Sequence, residues 1–203
     1  MSTSTTTNYG WTIPNDDELV KNGAAAIRTL GQAIDTTAAA SFGGGLAHLA
    51  TTSFSAVSAE SLDNIFTSTY DSYRLVFRIE SKSTSASILL RFRASGTDNS
   101  NSEYAFGFIG RTPGTTTQIE SNGTTAFILS SVNDQSQSTS LDITSPFLSA
   151  RTHIHGTIIQ RAGNTGLAGG GQMLVTTSYD GFTLFPSTGN FTGYLSIYGY
   201  KKA

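Results

Sequence analysis

The sequence predicts a mainly β protein in which an N-terminal α-helix precedes an antiparallel β-sandwich of the jelly-roll kind. Helical spacing of apolar residues occurs only near the N-terminus, and beyond residue 45 it gives way to alternation with a period of two. Short alternating runs then follow, with Gly-, Ser-, Thr- and Asn-rich turns about every 8–12 residues, which is typical of sandwiches. We therefore expect an attachment arm and oligomerisation helix at 1–42, a glycine linker at 43–45 and the sandwich at 46–203.

One helix is predicted within the stretch 8–37. Asn15 can serve as its N-cap, and Glu18 three residues later completes a version of the capping box. Beyond the cap, apolar and small residues recur at alternating spacings of three and four along one seam: Val20, Gly23, Ile27, Leu30, Ile34 and Thr37. So narrow a stripe leaves an isolated helix marginally stable in water. We expect this helix to pack against copies of itself in a homotrimer; the alternative is packing against its own β domain.

The single tryptophan of the chain, Trp11, lies just before the predicted cap. An exposed indole near a terminus anchors a chain to a partner, whereas an indole that folds back on its own helix serves only the local structure. Both alternatives are open for Trp11. The residues predicted to serve in attachment and oligomerisation are Trp11, Ile13, Val20, Ile27, Leu30 and Ile34.

The segments NYGWTIPN (8–15), ELVKNGA (18–24) and IRTLG (27–31) resemble the N-terminal segment of many tailed-bacteriophage virion structural proteins, of the minor-tail, tail-fibre and head-fibre types. The resemblance implies a short minor-tail or fibre protein that anchors by its N-terminal segment and displays a β-rich domain outward. It implies other virion proteins as partners. It also implies synthesis in the host bacterial cytoplasm and exposure on the virion, with adhesion to the host surface as a further role.

Two alternative functions stay open. One is a capsid decoration or head-fibre protein that stabilises or decorates the head, because the same composition suits either place on a virion. The other is a carbohydrate-binding module. In the C-terminal strand Tyr194, Tyr198 and Tyr200 share one face, where they can contact a neighbouring subunit or stack on a glycan. Contact with a subunit is the favoured use.

Composition and charge argue against several classes of function. The net charge is −2 and the pI is near 5.8, so we expect no nucleic-acid binding, since no basic face is present. No apolar run approaches the roughly 20 residues of a membrane span, so we expect no membrane insertion. The first ten residues lack the basic and apolar regions of a secretory signal. The chain contains no cysteine, which leaves no disulfide or thiolate chemistry.

We expect neither catalysis nor a cofactor. The carboxylates lie scattered at the helix start and in predicted turns, and the sequence contains no nucleophile elbow or zinc-protease motif. His153 and His155 flank Ile154 in a predicted strand, so both imidazoles point to one face at a metal-ligand spacing. Because the pair stands alone, we predict no metal site and keep these two histidines as candidate ligands only.

Two runs show the clearest alternation. Every second residue is apolar in 73–80, and Ile88, Leu90 and Phe92 repeat the pattern in 87–94. Only the six residues SKSTSA separate the runs, so we predict an antiparallel hairpin. Its outer face would carry several arginines side by side.

Overall fold

The computed structural model describes residues 4–13, 20–41, 45–130, 136–161 and 164–201. Within those ranges the protein is mainly β, with one α-helix and antiparallel sheets, which confirms the coarse fold class. The chain divides into two compact units, Met1–Gly45 and Leu46–Lys202.

The first unit contains a two-stranded hairpin followed by the helix. Strands β1 (Ser4–Thr5) and β2 (Thr12–Ile13) pair antiparallel. The turn between them includes Gly10 at a φ of 64°, a left-handed conformation that glycine adopts without strain. The helix α1 spans Val20–Ser41, so it continues past its predicted end at Thr37. Three alanines follow that threonine, and alanine has the highest helix propensity of all residues.

The second unit is built from short and medium-length strands. In chain order they are β3 (Leu46–Val57), β4 (Glu60–Leu62), β5 (Tyr70–Lys82), β6 (Ile88–Ala94), β7 (Thr97–Asp98), β8 (Tyr104–Thr112), β9 (Thr115–Thr124), β10 (Phe127–Ile128), β11 (Gln137–Thr144), β12 (His153–Gln160), β13 (Thr165–Met173), β14 (Gly181–Pro186) and β15 (Phe191–Lys201).

These strands form two sheets. The larger sheet has the strand order β3-β15-β5-β11-β12-β13-β8-β9. The smaller has the order β10-β6-β14-β4, with β7 paired to β6. The larger sheet places the C-terminal strand β15 between β3 and β5, so its register depends on pairing between residues far apart in the chain.

Strand β13 begins earlier than the sequence pattern predicts. The pattern predicts a strand at 172–178, whereas β13 spans Thr165–Met173. Its sequence, TGLAGGGQM, contains four glycines and lacks the alternation of apolar residues on which the prediction rests. Backbone pairing with β12 on one side and β8 on the other holds this strand in the sheet.

Buried apolar side chains from both sheets form one core. On β8 of the larger sheet, the rings of Tyr104 and Phe106 lie 4.9 Å and 6.0 Å from the ring of Phe127 on β10 of the smaller sheet. A fully buried apolar side chain of this size contributes about 1.5–3 kcal/mol by leaving water. The predicted alternation on β5 is confirmed, because its inward side chains are all fully buried: Tyr73, Leu75, Phe77 and Ile79.

The predicted hairpin between residues 73–80 and 87–94 is wrong. Strand β5 pairs with β11 and β15 in the larger sheet, whereas β6 pairs with β10 and β14 in the smaller one. The two strands lie in different sheets and are not paired with each other. Each buries its apolar face in the core that the sheets share. The arginines are therefore not side by side. On the smaller sheet Arg93 has its own carboxylates, at 2.7 Å from Asp63 and 2.5 Å from Asp98.

Candidate functional site

The candidate site lies on the outer face of the larger sheet, meaning the face turned away from the core. Strand β15 shows how the sequence builds this face. Phe191, Leu195 and Ile197 are buried, and the tyrosines at alternate positions point outward, as predicted. Tyr194 is exposed, while Tyr198 is half-buried. A strand places successive side chains on opposite faces, so this division follows directly from the sequence.

The register of five neighbouring strands places a row of polar and aromatic residues across the outer face. Residues directly opposite each other in an antiparallel pair have side chains close enough to interact. The row runs from β3 through β15, β5 and β11 to β12 and consists of His48, Tyr198, Arg74, Asp142 and His155. Their sequence positions are far apart, so only the sheet brings them together.

Asp142 is the centre of this row. Its Oδ1 accepts a hydrogen bond of 2.6 Å from the hydroxyl of Tyr200. The Nε of Arg74 lies 3.5 Å from the same oxygen and donates instead to Ser140 Oγ at 3.3 Å. The Nε2 of His155 lies 3.7 Å from Asp142 Oδ2, which is too long for a hydrogen bond. Among the described residues Oδ2 thus has no hydrogen-bond donor, and it keeps its capacity to accept.

The hydrogen bond between Tyr200 and Asp142 also affects the tyrosine. It raises the pKa of Tyr200, and partial burial and the negative charge of Asp142 raise that pKa further, while the charge of Arg74 acts in the opposite direction. The phenol therefore keeps its proton at neutral pH and can donate it to the carboxylate. This bond orients Asp142 on the surface of the sheet.

A shallow depression of about 380 Å³ surrounds this carboxylate. Its lining residues come from β5, β11, β12 and β15: Ser72, Asp142, Thr144, His155 and Tyr200. The side chain of His155 is 67% exposed and forms one wall, while that of Asp142 is only 20% exposed. Beyond His155 the row continues with Gly170 on β13 and Gly107 on β8. Because glycine has no side chain, the depression is open in that direction.

The three outward tyrosines of β15 have different surroundings. Tyr200 lies in the Asp142 depression, and the ring of Tyr198 packs edge-on against His48 with a centroid distance of 5.4 Å. Tyr194 instead lines a separate depression of about 530 Å³, together with Arg78 and Arg161. No carboxylate lines that second depression among the described residues. The sequence analysis treated the three tyrosines as one contact surface, whereas Tyr194 and Tyr200 line different depressions.

The candidate metal ligands His153 and His155 both point outward from β12. Their neighbours on β11 are Thr144 and Asp142, respectively. In the part of the chain that the structure describes, no three His, Cys, Asp or Glu side chains come together as a group that could hold a metal ion. Both histidines are exposed polar side chains of the outer face, and His155 lines the depression around Asp142.

Trp11 contacts its own helix. Its Nε1 donates a hydrogen bond of 2.9 Å to Thr37 Oγ1, and its ring stacks on that of Tyr9 with a centroid distance of 5.1 Å. Of the two alternatives open for Trp11, the structure shows the one in which the indole folds back on the helix. Its use in attachment to a partner stays a prediction, as does that of Ile13, which is half-buried in β2.

The predicted seam of α1 is divided between two environments. Gly23, Leu30 and Thr37 are half-buried, whereas Ile27 is 65% exposed and Ile34 is 40% exposed. These two isoleucines lie seven residues apart, so they project from the same side of the helix. The side chain of Val20 and the predicted cap residues Asn15 and Glu18 lie outside what the structure describes.

Comparison with known proteins does not assign this chain to a family. Neither a protein-family model nor a curated protein matches this chain. In the part of the chain that the structure describes, no helix is both long and apolar enough to span a membrane.

Asp142 and its contact with Arg74 were not predicted from the sequence. One signal was available. Asp142 lies between Leu141 and Ile143 in a strand, and aspartate is depleted in strands. An acid at an outward strand position, flanked by buried residues, points to a polar site on the sheet face. The register that brings Arg74, Tyr200 and His155 to this carboxylate has no local signal in the sequence.

Proposed function

We propose that this chain is a structural protein of a tailed-phage virion, a short minor-tail or fibre protein. Its N-terminal unit attaches and oligomerises, and its second unit is a jelly-roll-like β-sandwich displayed outward. The observation that carries the proposal is the exposure of Ile27 and Ile34 on α1. The resemblance of residues 8–31 to N-terminal segments of virion proteins supports it.

The exposed isoleucines favour a helical partner. Burial of a fully exposed isoleucine contributes about 1.5–3 kcal/mol. Ile27 and Ile34 would gain the part of this that corresponds to their exposed surface, 65% and 40%, which is a sizeable gain for a helix with few other apolar side chains. Isoleucines at successive a-type positions of a heptad favour coiled coils. The d-type positions are Gly23, Leu30 and Thr37, so the pattern does not by itself fix the number of strands. With 22 residues α1 is about 33 Å long, enough for three heptads. We propose that the partner is further copies of this chain, in a homotrimer.

The second unit supports outward display. Its apolar side chains are gathered in one core shared by the two sheets, so the unit has its own source of stability. Charged residues are only 13% of the chain, and its polar surface relies on serine, threonine and asparagine instead. Weakly charged domains can lie close to one another on a particle without strong repulsion. Several such domains fixed on one virion would gain avidity from weak individual contacts.

The oligomer is tested by the molar mass of the full-length chain in solution. The double variant Ile27→Asp and Ile34→Asp places charge on the proposed contact. The matched control is Ala25→Asp with Gln32→Asp, which has the same substitutions and spacing at two other exposed helix positions. We expect light scattering to give a trimer for the wild type and the control, and a monomer for the isoleucine variant. A monomeric wild type across a wide range of concentrations overturns the proposed oligomer.

The place on the virion is tested separately. Antibody labelling of purified virions, together with the copy number per particle, distinguishes the tail from the head. A low copy number with label at the tail supports the minor-tail or fibre assignment. A high copy number with label on the capsid supports the alternative, a decoration or head-fibre protein. Absence of the chain from purified virions contradicts both.

A second candidate function, carbohydrate binding, is favoured by one specific observation. The outer face carries a partly buried carboxylate, Asp142, with free acceptor capacity beside Tyr200, and Tyr198 lies in the same row on the other side of Arg74. Carboxylates and aromatic rings are the groups that bind the hydroxyls and the apolar faces of sugars. This function is compatible with a virion protein that contacts the host surface.

A further inference from the structure

We propose that the depression around Asp142 binds a neutral pyranose, one ring of a larger surface glycan. The inference deepens the proposed function, because it names the ligand class of the outward domain. Its biological setting rests on that proposal, but the site itself is argued from the geometry of the larger sheet alone.

The hydrogen-bonding groups of the depression match a sugar. Vicinal hydroxyls donate and accept at the same time, so they need an acceptor and a donor side by side. Asp142 Oδ2 supplies the acceptor. Arg74 does not line the depression, but it lies next to Asp142 in the row and can supply donors from there: its Nε faces Ser140, and its terminal nitrogens have no partner among the described residues. His155 and Thr144, which both line the depression, can complete the set.

The carboxylate is held ready for a ligand. Tyr200 fixes Oδ1 from β15, so Oδ2 is directed away from that bond. The side chain of Asp142 is four-fifths buried, and a hydrogen bond to an ionised group is stronger than one between neutral groups. Preorganisation of this kind lowers the entropy cost of binding.

An aromatic side chain lies next to the polar groups. Tyr198 is the direct neighbour of Arg74 across the β15–β5 pairing, and His48 packs against its ring from the other side. A half-exposed ring in this position can contact the C–H face of a pyranose whose hydroxyls reach Asp142. The size is also suitable, because 380 Å³ is near the lower end of the roughly 300–1,000 Å³ found for small-molecule sites.

The charge and the open end favour a neutral polymer. The charges of Asp142 and Arg74 offset each other at 3.5 Å, so an anionic sugar gains no net electrostatic attraction here. On the far side of His155, Gly170 and Gly107 leave the outer face without side chains. No heavy atom lies within 4 Å of a Cβ built on Gly107, so neighbouring rings of the glycan have room to continue across the sheet.

The test uses the full-length chain and neutral saccharides. Saturation-transfer NMR and calorimetry are carried out with methyl glucoside, galactoside and mannoside and with neutral trisaccharides such as maltotriose and cellotriose. We expect at least one of them to bind weakly, with a dissociation constant on the order of millimolar. Asp142→Asn, which keeps the shape and removes the charge, should weaken this binding at least tenfold. Tyr200→Phe, which frees Asp142, should weaken it several-fold.

Two matched controls lie on the same sheet. Glu80→Gln makes the same chemical change as Asp142→Asn at an exposed position near the far end of β5, away from the row, and Tyr194→Phe removes one hydroxyl outside the depression. Both should bind as the wild type does. Absence of binding to every neutral saccharide overturns the inference, and so does equal binding by Asp142→Asn.

A remaining outcome separates this inference from the proposed function. If no saccharide binds and Asp142→Asn changes only the molar mass of the protein, the outer face is a contact between subunits and the glycan site is wrong. Incorporation into virions does not depend on the saccharide measurement. Each proposal can therefore fail while the other succeeds.

Discussion

The hydroxyl of Tyr104 accepts a hydrogen bond of 3.1 Å from the backbone N–H of Phe92, and this bond joins the two sheets. Tyr104 begins β8 in the larger sheet, and Phe92 lies in β6 of the smaller one. The same hydroxyl donates to the carbonyl oxygen of Asn99 at 2.7 Å. A fully buried phenol thus satisfies two backbone groups, so the sheets are joined by specific polar contacts as well as by apolar packing.

Removal of this hydroxyl should destabilise the second unit. In Tyr104→Phe the ring still fills the core, but the N–H of Phe92 and the carbonyl of Asn99 lose their partner. A buried polar group left without a hydrogen bond costs about 1–3 kcal/mol. We expect the free energy of unfolding in urea to fall by that amount. Tyr194→Phe, at an exposed position, is the control and should leave it unchanged; a loss of equal size in both variants contradicts the assigned role.

Stability should decrease in alkali. Burial raises the pKa of Tyr104, and it also raises the pKa values of Tyr73 and Tyr179. In the unfolded chain these phenols titrate near pH 10, so above about pH 10 the unfolded state binds fewer protons than the folded state. The stabilisation is thus fully present below that pH and is lost as the pH rises.

Urea unfolding at about pH 8, 10 and 11 measures this effect, and each titrating tyrosine adds a slope of up to roughly 1.4 kcal/mol per pH unit. Tyr104→Phe removes one of the three phenols. Its loss of stability between the two higher pH values should therefore be smaller than that of the wild type. Parallel curves for the two proteins would show that Tyr104 does not contribute.

The hydrogen bond from Trp11 to Thr37 can be tested by fluorescence, because the chain contains a single tryptophan. Thr37→Val keeps the side-chain shape and removes the acceptor. We expect a red shift of the emission and a loss of about 0.5–1.5 kcal/mol in the stability of the first unit. Thr36→Val is the control, because Thr36 bonds only to the carbonyl of Gln32 within the helix. An unchanged emission in Thr37→Val would mean that the indole is held by other contacts.

Gly156 should not tolerate a side chain. A Cβ built there overlaps the carbonyl oxygen of Ser140 and lies 2.9 Å from the Cα of Leu141, both in the backbone of β11. That strand is paired on both sides and cannot move aside without breaking hydrogen bonds. We expect Gly156→Ala to lower the free energy of unfolding by about 1–3 kcal/mol or more.

Gly107 provides the comparison for this substitution. It lies two strands away in the same sheet, and a Cβ there has no heavy atom within 4 Å. Gly107→Ala should change stability by roughly 0.5 kcal/mol or less. Thermal melting of the two variants gives the difference directly. Similar melting temperatures would show that β11 and β12 are less closely fixed than their backbone contacts indicate.

Prediction from the sequence succeeded where the pattern is local. The alternation in 73–80 identified the buried face of β5, and the alternation in the last strand identified the outward tyrosines. It failed for the proposed hairpin, because a short polar connection fits a turn within one sheet as well as a crossing between two sheets. It also misplaced β13, since glycine carries no hydrophobic signal. The β-sandwich and jelly-roll parts of the fold class stay predictions.

The sequence by itself determined the mainly β class, the place of the helix and the face on which each tyrosine of β15 lies. These properties follow from the period of the apolar residues, which is readable over a few positions. Only the tertiary structure decided that Asp142 meets Arg74, Tyr200 and His155. Strand pairing depends on interactions between residues far apart in the chain, and a shift of one residue in register would turn each side chain to the other face.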